Sequence, residues 1–230
     1  MTGWGAFALA FAAFLSTHFV PTRPPIRERL ITLLGRRAWF SVYGIVSLAV
    51  TAWVIVAAGQ APYVEIWPQF PWTRWIPNLL MPLAITLTVL GLPARTVTLG
   101  GPRMSRLDPA RPGTAALTRH PLLWALALWS LSHLVPNGSV AHVLLFGGFA
   151  AMALAAMPAF DARARRALPT AEAAAYFAET AVLSLAPLLR GGWWRETVRP
   201  RARRLLVALL IWALALVLHP WLVGASPLPF

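Results

Sequence analysis

Arg119 and His120 stand immediately before a proline that opens an apolar run, and a second histidine, His133, lies near the end of that run. Pro121 has no amide hydrogen, so it predicts the first position of a helix. The free amides at a helix N-terminus, with an arginine and a histidine beside them, suit a carboxylate or phosphate. His133 lies inside an apolar segment, where an ionisable side chain is costly and is therefore a functional candidate.

His120 and His133 are not expected to bind the same metal ion. They are thirteen residues apart, which on an α-helix is about 140° around the axis and about 20 Å along it. We therefore interpret them as two sites, or as one site and one structural residue. A third histidine, His18, ends an aromatic stripe at helical spacing, which is either one wall of a flat cofactor pocket or a helix-packing face. The stripe consists of Trp4, Phe7, Phe11, Phe14 and His18.

The composition indicates a membrane protein. Hydrophobic residues make up 58% of the 230 residues, charged residues make up 12%, and there are twelve tryptophans, which is unlike a soluble domain of this size. The chain has no cysteine, so disulfides and thiolate ligands are excluded. The net charge of +13 comes from arginines between apolar runs, where they orient a membrane protein. We therefore do not expect nucleic-acid binding.

The apolar runs predict an all-α fold, a polytopic membrane helical bundle that forms a single domain over residues 1–230. About six transmembrane helices are expected, with amphipathic segments at the membrane interface. Their predicted bounds are residues 3–20, 38–58, 75–92, 122–135, 140–157 and 205–223. The fourth run has fourteen residues, too few for a hydrocarbon core of ~30 Å, so it should cross only part of the membrane unless the bilayer thins.

Three connections carry nearly all of the basic residues. Residues 21–37 and 93–119 are predicted to be arginine-bearing loops, and residues 158–203 a longer polar segment with one or two amphipathic helices. Together with Arg204 they hold nineteen of the twenty arginines, against Arg74 alone on the opposite side. Because such residues stay on the cytoplasmic side, both termini should face the periplasm of a bacterial inner membrane. Gly147 and Gly148 in the fifth run are expected to permit close helix approach.

Several motifs together resemble the NnrU family along the whole chain. They are His18-Phe19-Val20-Pro21 with Arg23-Pro24-Pro25, Leu80-Met81-Pro82, Thr118-Arg119-His120-Pro121 with Trp124, Trp129 and His133, Asn137-Gly138, His219-Pro220 and Ser226-Pro227. Members of this family are bacterial membrane proteins linked to denitrification, where they support nitrite and nitric oxide metabolism. The resemblance implies the same role here, with the lipid bilayer and a respiratory nitrite or nitric oxide reductase system as partners.

The NnrU family is similar to plant 15-cis-zeta-carotene isomerase, a membrane enzyme that uses haem b. By this resemblance His18 and His133 are the axial ligands of a haem iron, and Arg119 and His120 form a separate cofactor-binding site for a haem propionate. The isomerase also has a cysteine near the late histidine as a proposed alternative ligand, which this chain lacks.

The functional alternatives are of different classes. One is a haem-b protein that supports denitrification, and another is a haem-dependent cis-trans isomerase of a lipid-soluble, carotenoid-like substrate, which is the activity implied if the protein is an enzyme. A third is a non-enzymatic assembly or transport factor, favoured by the lack of an acid and base pair within the apolar runs. Arg-His-Pro also resembles isoprenylcysteine methyltransferases, but residues 158–203 lack their acidic and aromatic cofactor-binding pattern, so methyl transfer ranks below haem binding. Histidines that only lock helices by hydrogen bonds are the simplest alternative.

Overall fold

The protein is described by a computed structural model that covers residues 3–94, 96–98 and 108–230. About 76% of the chain is helical, and these residues contain no β-strand, so the all-α prediction is confirmed. Arg95, Arg103 and Arg106 of the second predicted loop lie outside the described residues. In chain order the helices are α1 (Trp4–Phe19), α2 (Pro24–Leu34), α3 (Arg36–Gly59), α4 (Trp75–Gly91), α5 (Thr114–Leu117), α6 (Pro121–Leu134), α7 (Val140–Ala167), α8 (Thr170–Glu179), α9 (Gly191–Trp193) and α10 (Ala202–Val223).

Several of these helices are long and apolar enough to cross a bilayer. In the part of the chain that the structure describes, four stretches reach that length, namely Arg36–Gly59, Pro71–Gly91, Val140–Ala167 and Gly191–Val223. The pair α1 and α2, bent by 80°, is a fifth candidate if both are counted as one span. Helix α6 has 14 residues, which confirms that the fourth run is short. The described residues therefore contain four or five full-length candidate spans and one shorter apolar helix, where about six spans were expected.

The chain divides into two compact units. The first unit is Met1–Pro68 with Asn137–Leu145, and the second unit is Gln69–Pro136 with Phe146–Phe230. In the first unit α1 packs against α3, and the aromatic stripe of α1 buries Phe7 and Phe14 at 3% exposure each. Successive rings of the stripe are 4.1 to 6.4 Å apart between centroids. In the first unit the stripe therefore acts as a packing face.

The second unit is built around α4, which packs against both α6 and α10. Helix α6 turns small residues inward: Ala125, Ala127, Ser130 and Ser132 are buried. At the end of α4, Gly91 lies against the first residue of α6, where a Cβ added to Gly91 would be 2.8 Å from Pro121 Cβ. Small residues thus let these two helices approach closely.

Two predicted connections are wrong in their secondary structure. Residues 24–34, expected in a loop, form α2, because Pro24 and Pro25 occupy the first helical turn, where a missing amide costs nothing. Helix α7 continues through Pro158 to Ala167, although residue 158 was expected to begin a polar segment. Its extension is held by buried Met157 and Ala164, whose packing outweighs the one backbone hydrogen bond that a proline removes.

The expectation for Gly147 is also wrong. A Cβ added there would have no atom within 4 Å, so this glycine makes no close approach. A helix glycine that does make one is Gly91, which the sequence did not indicate.

We expect Gly91→Ala to destabilise the protein by about 1–3 kcal/mol, since the new methyl group would overlap Pro121 and force α4 and α6 apart. Gly147→Ala is the matched control and should leave stability unchanged or slightly raised, because alanine favours a helix more than glycine does. The measurement is the temperature at which half of the detergent-purified protein loses its monodisperse elution. Equal temperatures for the two variants would contradict the close packing at Gly91.

Candidate functional site

A buried polar cluster in the second unit joins the start of α6 to α7. Thr118 and His120 have extended or irregular backbones, with φ of −157° and −124°, and the α-helix begins at Pro121. The Thr118 hydroxyl accepts a hydrogen bond from the His120 amide at 3.0 Å, which fixes the turn. Arg119 and His120 are therefore held at the N-terminus of α6, as their position before Pro121 predicted.

Arg119 binds the carboxylate of Asp161 in a bidentate fashion. Its Nε donates to Oδ1 at 3.2 Å and its Nη2 donates to Oδ2 at 2.6 Å. A third nitrogen, Nη1, donates to the Thr180 carbonyl at 2.7 Å. Arg119 is only 7% exposed, so this planar charge is compensated and hydrogen-bonded inside the protein, as a buried guanidinium must be.

His120 is completely buried, and both of its ring nitrogens have partners. Nε2 lies 2.9 Å from Asp161 Oδ1, and because a carboxylate only accepts, Nε2 carries the hydrogen. Nδ1 lies 2.9 Å from the Thr98 hydroxyl, which is also 3.3 Å from the Arg119 carbonyl oxygen. With a neutral ring, Thr98 donates to Nδ1; with a protonated ring, Nδ1 donates to Thr98 and Thr98 donates to the Arg119 carbonyl. Thr98 can thus remain bonded to Nδ1 whether that nitrogen accepts or donates a hydrogen.

A stretch after α8 runs alongside the segment that precedes α6. The Arg119 amide donates to the Ala181 carbonyl at 2.7 Å, and the Ser184 amide donates to the Leu117 carbonyl at 2.9 Å. Trp124 in α6 donates its indole hydrogen to the Val182 carbonyl at 2.9 Å. These bonds fix the backbone on both sides of Arg119.

Two arginines next to this cluster contact the same aromatic ring. The Arg119 guanidinium carbon lies 4.7 Å and that of Arg165 3.7 Å from the centre of the Phe177 ring, a cation–π arrangement. The neighbouring Tyr176 is buried at 2% exposure, and burial raises the pKa of its phenol well above the ordinary value. Tyr176 is therefore neutral at physiological pH and acts as part of the core.

Asp161 also faces a cavity of about 460 Å³ in the second unit. Its side chain retains 14% exposure. The rest of the wall is largely apolar and includes Trp124, Leu154, Met157, Arg165 and Val182. The carboxylate thus has one side toward Arg119 and His120 and another toward open space.

The acid in this cluster was missed by sequence reasoning. Arg119 and His120 were expected to hold a carboxylate or phosphate, and the carboxylate they contact is Asp161 of the same chain. The sequence analysis assigned Asp161 to the polar segment after residue 157, so no acid and base pair was expected in the apolar runs. In the structure Asp161 belongs to α7 and is hydrogen-bonded to His120. One signal was present: it is one of only seven acidic residues in a chain of net charge +13, and it directly follows an apolar run.

His18 lies in the first unit with both ring nitrogens bonded. Its Nδ1 donates to the carbonyl of Phe14, one turn earlier, at 2.8 Å. Nε2 then carries the lone pair and accepts from the Ser47 hydroxyl at 2.7 Å. The ring packs 4.1 Å from that of Phe14 and 6.4 Å from that of Tyr43.

His133 lies in the second unit in a similar local arrangement. Its Nδ1 donates to the carbonyl of Trp129, one turn earlier, at 2.8 Å. The ring lies 5.6 Å from Trp129 and 5.5 Å from Phe146. Because His18 and His133 belong to different units, each is described in its own surroundings.

The remaining histidines have other roles. His142 Nδ1 is bonded to the Ser139 hydroxyl at 2.8 Å at the start of α7, and His219 Nδ1 donates to the Ala225 carbonyl at 2.7 Å at the end of α10. In the ranges that the structure describes, no group of three or more His, Cys, Asp or Glu side chains could hold a metal ion.

Asp161→Asn should destabilise the protein by about 3–5 kcal/mol, because it leaves the buried Arg119 charge without its counter-ion. Glu172→Gln, an exposed acid on α8, is the matched control and should change stability by less than about 0.5 kcal/mol. Thermal loss of monodisperse elution in detergent measures both variants. If Asp161→Asn melts together with Glu172→Gln, the ion pair does not hold these elements together.

Comparison with known proteins supplies the family. The family model described as NnrU protein matches residues 6–227, which is nearly the whole chain. Searches of curated proteins and of solved structures gave no match. The motifs that resemble this family in the sequence, among them Arg119, His120 and His133, lie within the matched range. The chain therefore belongs to the NnrU family.

Proposed function

We propose that this NnrU-family membrane protein binds haem b, with His18 and His133 as the iron ligands, and that it supports denitrification through nitrite and nitric oxide metabolism. One observation carries the proposal. In both histidines Nδ1 donates to the carbonyl of the residue four positions earlier, so Nε2 is the nitrogen that bears the lone pair.

This arrangement is the one that a ligating imidazole needs. A histidine bound to a metal usually donates its other ring hydrogen to a carbonyl or carboxylate, which fixes the tautomer and the ring orientation. A neutral imidazole then binds iron through Nε2. At His18 the Ser47 hydroxyl now donates to that nitrogen, and rotation of Ser47 about χ1 would release it.

Both rings also lie in aromatic surroundings. Phe14 and Tyr43 lie beside His18, and Trp129 and Phe146 lie beside His133. When bound, haem b supplies a one-electron redox centre. Arg119 is bonded to Asp161 and Thr180, and His120 is bonded to Asp161 and Thr98, so we propose no part for these two residues in the haem site.

Absorption spectra of the purified protein, oxidised and reduced, test the proposal. We expect a Soret band and the α-band of a low-spin b-type haem. His18→Ala and His133→Ala should each remove or shift these bands, because each takes away one axial ligand. His142→Ala, whose histidine is bonded to Ser139 at a helix start, is the matched control and should leave the spectrum unchanged.

Two results would count against the haem proposal. One is a protein without a Soret band after expression with ample haem, and the other is an unchanged spectrum in both ligand variants. The role in denitrification is tested separately in a deletion strain, which should accumulate nitrite or nitric oxide and should be rescued by the His142→Ala gene but not by the His133→Ala gene. A deletion strain with normal nitrite and nitric oxide levels would contradict that role.

We also propose that the protein lies in the bacterial inner membrane with both termini in the periplasm. The support is the uneven placement of arginine, nineteen against one. Among the described residues, three of these arginines stand at the end of the long apolar helix α7: Arg163, Arg165 and Arg166.

Because the chain has no cysteine, a single introduced cysteine reports its side of the membrane without background. In intact cells with a permeabilised outer membrane, we expect Ser226→Cys to react with a membrane-impermeant maleimide. Arg163→Cys should react only after the inner membrane is opened, and the unchanged chain should not react at all. The reverse labelling pattern would overturn the orientation.

A further inference from the structure

The cavity beside Asp161 has no part in the proposed haem site, and its wall combines one hydrogen-bond acceptor with apolar side chains. A carboxylate has about four lone-pair positions. Oδ1 of Asp161 accepts from Arg119 Nε and His120 Nε2, whereas Oδ2 accepts from Arg119 Nη2 among the described residues. Oδ2 thus retains a position for one more donor, and the side chain is 14% exposed in the cavity wall.

The charges around the cavity select a neutral ligand. The negative charge of Asp161 is already compensated by Arg119 at 2.6 Å, so it does not require a cation from the ligand. Arg165 in the same wall would repel a cation, and Asp161 would repel an anion that approached Oδ2. A neutral hydroxyl group can donate to Oδ2 without either penalty.

The apolar part of the wall suits a flat ring. The Trp124 indole lines the cavity and is fixed by its hydrogen bond to the Val182 carbonyl at 2.9 Å. An anchored indole can contact an aromatic group of a ligand without losing further freedom. Arg165 is held over Phe177 at 3.7 Å, so a second side chain of the wall is also fixed in place.

The cavity adjoins a surface that lipid would cover. Leu154, in its wall, is 40% exposed and belongs to α7, one of the long apolar helices. A molecule dissolved in the bilayer can therefore reach the cavity past Leu154 without passing through water.

We propose that this cavity binds a neutral, lipid-soluble molecule with an aromatic hydroxyl head, of the phenol or hydroquinone class. The hydroxyl donates to Asp161 Oδ2, the ring lies against Trp124, and the apolar remainder extends past Leu154 toward the lipid. This site does not depend on haem, since neither His18 nor His133 lines the cavity.

The test uses the full chain in lipid nanodiscs and measures binding by titration calorimetry, with empty nanodiscs subtracted. The probe is 4-decylphenol, and its matched control is 4-decylanisole, which differs by one methyl group on the oxygen and cannot donate. We expect saturable binding of one 4-decylphenol per chain and at least about tenfold weaker binding of 4-decylanisole, since a hydrogen bond to a charged acceptor is lost.

A filled cavity gives the second comparison. Ala162→Phe places a ring in the cavity wall without touching the ion pair, and it should abolish binding of 4-decylphenol. Ala213→Phe, on an exposed face of α10, is the matched control and should bind as the unchanged chain does. Both variants should elute as the unchanged chain does. Their absorption spectra should also match that of the unchanged chain, whether or not the unchanged chain shows a Soret band.

Three results would overturn the proposal. They are equal affinity for 4-decylphenol and 4-decylanisole, tighter binding of decanoate than of 4-decylphenol, and unchanged binding in a correctly folded Ala162→Phe protein. The second result would mean that Arg165 recognises an anion in place of the hydroxyl group that we assign to Asp161.

Discussion

The second unit depends on one requirement: the buried guanidinium of Arg119 must have a counter-ion. Removing an ion from water costs several kcal/mol even after relaxation, and only a close carboxylate with good geometry offsets that cost. Asp161 meets the requirement with two hydrogen bonds from Arg119 and one from His120. Because Asp161 is on α7, the residues before α6 are tied to that helix.

The same carboxylate links structure to the candidate chemistry. On one side it is bonded to Arg119 and to His120, whose other ring nitrogen is bonded to the Thr98 hydroxyl. On the other side it borders a largely apolar cavity. A carboxylate that is charged and fully compensated can serve as a hydrogen-bond acceptor in an apolar place without attracting water or ions. This explains how one residue can both stabilise the fold and recognise a neutral group.

The histidines divide by how their ring nitrogens are used. His120 uses both nitrogens on side chains of its own unit, which leaves no lone pair for a metal. His18 and His133 each donate Nδ1–H to a carbonyl one turn earlier, a local bond that any histidine in a helix can make and that leaves the lone pair on Nε2. His18 and His133, the proposed haem ligands, thus differ from His120 in their hydrogen bonds, although the three side chains are chemically identical.

The sequence by itself determined the all-α membrane class, the approximate bounds of five apolar helices (α1, α3, α4, α6 and α10), the shortness of α6 and its start at Pro121. These follow from hydrophobic period and from the missing amide of proline. It also placed Arg119 and His120 at the N-terminus of a helix. Only the tertiary structure decided which anion they meet, because Asp161 is 41 residues from His120 and its approach depends on the continuation of α7 past Pro158. The sequence likewise did not indicate that Ser47 and Thr98 bond to His18 and His120. A neutral hydroxyl becomes a hydrogen-bond partner of a histidine only when folding brings the ring nitrogen within reach.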